Sequence, residues 1–173
     1  LRDWSVEVYR RPEVERALLT LQDAHGLTVT LMLWCVWTGA HFAEPDVATM
    51  KRAMAIGGEW ERKIVAPLRD VRRALKAGVN GAASETLRTQ VKAAELSAEF
   101  EAMQALELIS RAQAGRYAGT DAAGRARRTL AAYVRAAGGA DSPGFSVGLL
   151  EELIGLTVPA PNQDAIANAH DGS

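Results

Sequence analysis

A chain of 173 residues, 48% of them apolar, can bury about 70% of its unfolded surface, so one domain forms without help from a disulfide or metal. Twenty basic against 21 acidic residues leave a net charge of −1, which excludes a whole-protein field for nucleic acid or acidic membrane. A single cysteine, Cys35, excludes an internal disulfide and suits a reducing compartment, so a cytoplasmic protein is expected.

The chain opens with no charged-then-apolar leader. Its longest apolar run, 27–40, is too short to span a bilayer, and no membrane association is expected. Helical periodicity dominates, and 28–30 is the one stretch with strand character. Asp3 or Ser5 can start a short first helix that presents Trp4, Val8 and Tyr9. Pro12 fits the first position of a second helix, where its missing N–H costs nothing. Val14, Ala17, Leu18 and Leu21 then share one face, and Gly26 supplies the left-handed cap. The segment 28–42 is apolar on almost every side, which predicts a helix buried all round.

Pro45 and Asp46 open a third long helix, which Gly57-Gly58 should interrupt. A fourth covers about 59–77, with Trp60, Ile64, Leu68, Val71 and Leu75 as an apolar stripe and a kink expected at Pro67. The turn at 78–83 leads to a long helix from Ser84 to about Gln113. Leu87, Val91, Ala94, Phe100, Met103 and Leu106 should face inward from it. A loop is expected over 114–124, a helix over 125–137 and a short one over 146–156, with little fixed structure after 157. The fold class is therefore all-α: a compact bundle of five to seven helices around a buried central helix. Residues 1–113 form the core, 114–156 an extension and 157–173 a flexible tail.

Charge separates by helix. Residues 59–78 hold six basic groups against three acidic, and 84–107 hold two against five. The short turn makes them antiparallel neighbours, with position i beside about 161 − i. Glu99 then faces Arg62, and Glu95 lies between Arg62 and Arg69. Two readings stand: surface ion pairs worth ~0–1 kcal/mol each, or a buried polar site of Glu95 and Glu99 with Arg69 or Arg72.

The cluster Gln22, Asp23 and His25 ends the second helix. His25 suits the negative end of the helix dipole, whereas Asp23 opposes it and calls for a partner. That partner is an arginine, the free N–H groups of the next helix, or a ligand. Trp34, Trp37 and Trp60 join Trp4 within the first 60 residues. They form either a large-residue core or an apolar pocket with Gln22 and Asp23 as polar anchors. Di-iron bundles use paired Glu-x-x-His motifs, and none is present; no metal or cofactor is expected. Cys35 lacks a neighbouring base, and no phosphate loop, serine elbow, zinc spacing or dinucleotide fingerprint occurs, so no catalytic residue is assigned. In the segment 111–135, net +5, Arg125, Arg127 and Arg128 are the candidates for RNA contact. The acidic 136–173 can screen them, and nucleic acid is not the expected partner.

Trp4-x-x-x-x-Tyr9, Leu21-Gln22-Asp23-x-x-Gly26, the Trp34/Trp37 helix, Trp60, Pro67-Leu68-Arg69-x-x-Arg72, Leu75-Lys76, Leu87-Arg88 and Glu95-Leu96-x-x-Glu99 occur in that order. This order resembles a conserved proteobacterial family of unknown function, about 160–170 residues long, over roughly residues 1–110. Thr30 stands where the family has asparagine. The resemblance implies a soluble, cytoplasmic bacterial protein and supplies no activity. The leading functional expectation is a non-enzymatic interaction or adaptor domain with a protein partner, using exposed members of the Trp and Arg set. The alternative is a small-molecule- or metal-binding bundle, possibly an enzyme, built on Gln22, Asp23, His25, Glu95 and Glu99.

Overall fold

The computed structural model describes residues 1–78, 84–112 and 121–158. Most of the expected turn at 78–83, most of the loop at 114–124 and the tail beyond 158 lie outside the described residues. Eight α-helical segments follow in order: α1 Arg2–Tyr9, α2 Pro12–His25, α3 Val29–His41, α4 Val47–Trp60, α5 Ala66–Ala77, α6 Glu85–Ala112, α7 Ala122–Ala136 and α8 Val147–Thr157. A π-helical turn, Glu61–Val65, joins α4 to α5 without a break, so the eight segments make seven rods. No strand occurs among the described residues. No described helix is long and apolar enough to cross a membrane.

Helices α2 and α3 follow their sequence signals, whereas α1 starts at Arg2, with Leu1 rather than Asp3 or Ser5 at its cap. Pro12 opens α2, and Gly26 closes it at φ +65°, its N–H bonding the Gln22 carbonyl. α3 buries ten of its thirteen residues, Thr30 to Gly39, so it has no wet face. Residues 28–30 belong to the start of this helix rather than to a strand. The Thr28 N–H, just before α3 begins, donates to the Tyr133 hydroxyl at 2.9 Å.

Around α3 stand α2, α4, α6 and, most extensively, α7. Helix α8 covers α2 and α7, while α4 and α6 pack on each other. Leu130, Tyr133, Val134, Leu153 and Ile154 share one continuous core with Leu18, Leu21, Trp34 and Leu106. Helices α7 and α8 are thus walls of the same core as the first three.

Two expectations about the middle of the chain are corrected. Gly57-Gly58 does not interrupt α4. A Cβ at Gly57 would sit 2.8 Å from the Leu31 side chain, so the glycine is there to let α4 approach α3. Pro67 does not produce a simple kink. Its ring would crowd the Lys63 carbonyl in a regular helix, and the wider π turn just before it relieves that clash. The extra residue also turns the following helix. Leu68, Arg69, Arg72 and Leu75 are half-buried against α6, while Ile64 and Val71, expected in the same stripe, are 42% and 48% exposed.

From residue 66 to 97 the chain leaves the core. No described residue of this stretch joins the core cluster, and α5 buries none of its side chains. It forms an arm of two antiparallel helices, α5 and the first half of α6. The expected inward set on α6 holds for Met103 and Leu106, but Leu87 and Ala94 are exposed. Helix α7 starts at Ala122, three residues earlier than expected, because the Asp121 carboxylate accepts from the Gly124 N–H and caps it.

Candidate functional site

The base of the arm holds a cluster of charges. Glu95 is buried on α6, and Arg69 and Arg72 of α5 both donate to it. Arg69 Nε lies 3.1 Å from Glu95 Oε1, and Arg72 Nε lies 2.5 Å from Oε2. Arg69 also donates to Glu61 of the π turn at 2.7 Å and approaches Glu99 at 3.7 Å. These pairs set position i beside about 166 − i, a shift of one helical turn from the expected register. Glu99 therefore meets Arg69, and Glu95 sits between Arg69 and Arg72 instead of between Arg62 and Arg69. The expected register assumed a hairpin centred near residue 80 or 81, and the observed pairs are displaced from that centre.

The cluster carries three carboxylates and two guanidinium groups. Burial works to lower the Arg69 pKa, but Glu61, Glu95 and Glu99 outweigh it and raise it. The hydrogen bond from Arg72 to Glu95 raises Arg72 likewise. Burial and then the Glu95 charge push Glu99 up to about 7, against the opposing pull of Arg69 and Arg72. Tyr9 of α1 is pushed up to about 12 by burial, then by Glu15 and Glu99. Sequence reasoning missed Glu61 and Tyr9. Glu61 lies eight residues before Arg69, a spacing that signals nothing in a regular helix and becomes a contact across the π turn.

A carboxyl group whose pKa is raised on folding binds its proton more tightly in the folded chain. Stability linked to Glu99 is thus fully present below about pH 4.5 and is lost as pH rises toward 7. With 28% of the side chain exposed, water offsets part of the effect, and we expect about 1 kcal/mol. Glu99→Gln should remove this slope from a denaturation series between pH 5 and 8, as ~1 kcal/mol is resolvable there. An unchanged slope would assign the linkage elsewhere.

The remaining candidates do not converge on this cluster. His25 sits at the far end of α2, ten residues or about 15 Å beyond Glu15. Ser142 gives its hydroxyl hydrogen to the Gly139 carbonyl, so the His25 Nδ1–H donates to Ser142 Oγ, at 2.5 Å. The ring also meets Phe145 edge-on. Gln22 is half-buried, and Asp23 is exposed with no ion pair to a described residue. Asp23 borders an open depression of about 550 Å³ whose lining all comes from α2. One helix cannot wall a site, which needs groups from several directions.

Trp34 is fully buried, its Nε1–H shared between the Leu106 carbonyl and the Ser110 hydroxyl. Thr38 completes that contact at 2.8 Å from Ser110. Trp37 packs on His41 and Phe42 in the core, and Trp60 is half-buried. Burial holds the Cys35 thiol neutral by raising its pKa. Arg125 is buried, and its guanidinium donates to the Gly39 and Ala40 carbonyls at the end of α3. Arg127 pairs with Glu151, and Arg128 with Glu44 and Asp121. Among the described residues no three His, Cys, Asp or Glu side chains are placed so that they could hold a metal ion.

The second feature is the uncovered side of the arm. Leu68, Val71 and Leu75 step by three and four residues along α5, and Leu87, Val91, Ala94 and Ala98 step by four, three and four along α6. Each set is therefore one stripe. Arg69 and Glu99 lie on the opposite flank of their helices and touch, which shows that those flanks coincide. The two apolar stripes then share the other side of the arm. Val71, Leu87 and Ala94 are exposed there, and Leu68, Leu75 and Val91 are half-buried.

The family profile for proteins of unknown function named DUF2390 matches residues 1–106. The chain belongs to the DUF2390 family. Comparison with curated proteins and with solved structures gives no match. The matched part of this DUF2390 protein contains the charge cluster and the whole arm. It stops short of α7 and α8, although these close the core.

Proposed function

We propose that this DUF2390 protein is a non-enzymatic interaction domain whose working surface is the apolar side of the α5–α6 arm. The supporting observation is a mismatch. α5 sorts its apolar and charged residues cleanly, as a packed helix does, yet none of its side chains is buried. A sorted face that α6 covers only in part is the mark of a surface that meets another molecule. The charge cluster has a mechanical part in this reading: it fixes the register of the arm and holds the arm on the body. Trp34, Trp37, Arg69, Arg72 and Glu95 then support the surface rather than touch the partner. The reading also carries a reducing, cytoplasmic setting, which suits the buried Cys35.

A photoreactive amino acid placed at Val71, and separately at Arg73 on the other flank, tests this proposal in living cells. The Val71 position should give discrete protein adducts, and the Arg73 position should not. Equal labelling at both positions, or none at either, would sink the assignment.

A further inference from the structure

Granting that the arm's apolar side is the working surface, we infer that its occupant is a second copy of this chain, two arms pairing about a two-fold axis into a four-helix bundle. Charge points this way first. Pro67 and Ala74 on α5 and Gln90 and Ser97 on α6 border the stripes, and all are exposed and uncharged. Glu101 closes the lower end. Arg73 and Lys76 lie on the flank of α5 that carries Arg69, away from the face, and form no ion pair with a described residue. Apart from Glu101 at its end, the face therefore holds no charge by which to select a foreign helix. It also imposes no like-charge repulsion on a copy of itself. An anionic membrane would want those cations beside the apolar stripe, where they are absent.

Shape and size point the same way. A two-helix face that is apolar on one side completes a bundle when its equal is laid against it, and two-fold pairing satisfies both copies with one set of contacts. Ala74 and Ala94 are exposed and small enough for the helix axes to approach closely. Fifteen residues of helix, about 22 Å, by two helix diameters, about 20 Å, gives on the order of 900 Å² for the two faces together. That lies at the low end of specific interfaces, below about 1,200 Å². The pairing should accordingly be reversible and concentration-dependent.

Sedimentation velocity of the full chain, from about 1 μM to about 1 mM, spans the range in which such contacts form. The chain should pass from monomer to dimer within that range. Val71→Glu, at an exposed position, should keep the wild-type melting curve and remain monomeric at every concentration. Arg73→Glu, on the opposite flank, should dimerise as the wild type does. Under mild oxidation Ala74→Cys should form an inter-copy disulfide faster than Arg73→Cys does. A wild-type chain that stays monomeric to the top of the range overturns the self-pairing, as does a Val71→Glu chain that still dimerises. If the monomer gives Val71 adducts with other proteins, the arm remains an interaction surface with a different occupant. If it binds neutral or anionic vesicles instead, or gives no adduct, both proposals fall.

Discussion

A chain ending at residue 112 is expected to lose cooperative folding, although the family match lies wholly within it. The reason is the position of α7 and α8. Leu130, Tyr133, Val134, Leu150, Leu153 and Ile154 are each 3% exposed or less and belong to the core around α3. Burial of side chains of this size is worth about 1.5–3 kcal/mol each, so the six contribute on the order of 10 kcal/mol. That equals the whole net stability of an ordinary domain, about 5–15 kcal/mol. Removing them also uncovers one flank of α3, which has no polar side to offer. The 1–112 chain should keep helical far-ultraviolet dichroism, bind a hydrophobic dye and melt without a cooperative step. Iodide should quench Trp34 and Trp37 in it, and should leave both protected in the 1–158 chain. A sharp thermal transition for 1–112 near that of 1–158 would show that α7 and α8 are an appendage.

The sequence places a helix over 125–137, and the reason it does not reveal this helix as a wall of the core is physical. Its segment is rich in Ala and Arg, and its buried side is small: Gly124, Ala126 and Thr129, with Leu130, Tyr133 and Val134 further along. Such a pattern resembles a solvated basic strip. Arg125 in particular reads as surface, and only the fold places it against the carbonyls that end α3. By contrast, α3 was legible because apolarity on every side has one outcome, burial on every side. The limits of α2 were legible because Pro12 and Gly26 act through the backbone, whatever surrounds them.

The candidate site divides along the same line. The pairing of a basic α5 with an acidic α6 followed from composition and a short turn. The register did not, because composition says which helices pair and not where along them the pairs fall. The apolar stripe through Leu68, Val71 and Leu75 was visible in the spacing, as was its counterpart on α6. Periodicity says that a face is apolar and cannot say whether the same chain covers it. Periodicity therefore reads Val71 and Leu87 as core, but they are 48% and 45% exposed.

The contact that ties the family-matched part to the rest of the chain is narrow enough to break with one residue. A Cβ on Gly39 of α3 would lie 2.5 Å from the Ala126 Cα, 2.6 Å from its nitrogen and 2.7 Å from the Arg125 carbonyl oxygen. All three are backbone atoms of α7, so no side-chain rotation relieves the overlap. α7 must move away from α3, and the Arg125 hydrogen bonds to Gly39 and Ala40 stretch with it. Gly39→Val should cost about 3 kcal/mol, the upper part of the range for overpacked cores. For a domain of this size that lowers the melting temperature by about 6–12 °C. Gly155 on α8 provides the contrast, since a Cβ there meets nothing within 4 Å. Gly155→Ala should raise stability by about 0.5–1 kcal/mol, through the backbone entropy that glycine carries in a helix. If Gly39→Val melted with the wild type, α3 and α7 would not be in backbone contact, and α7 would lose its place as a wall of the core.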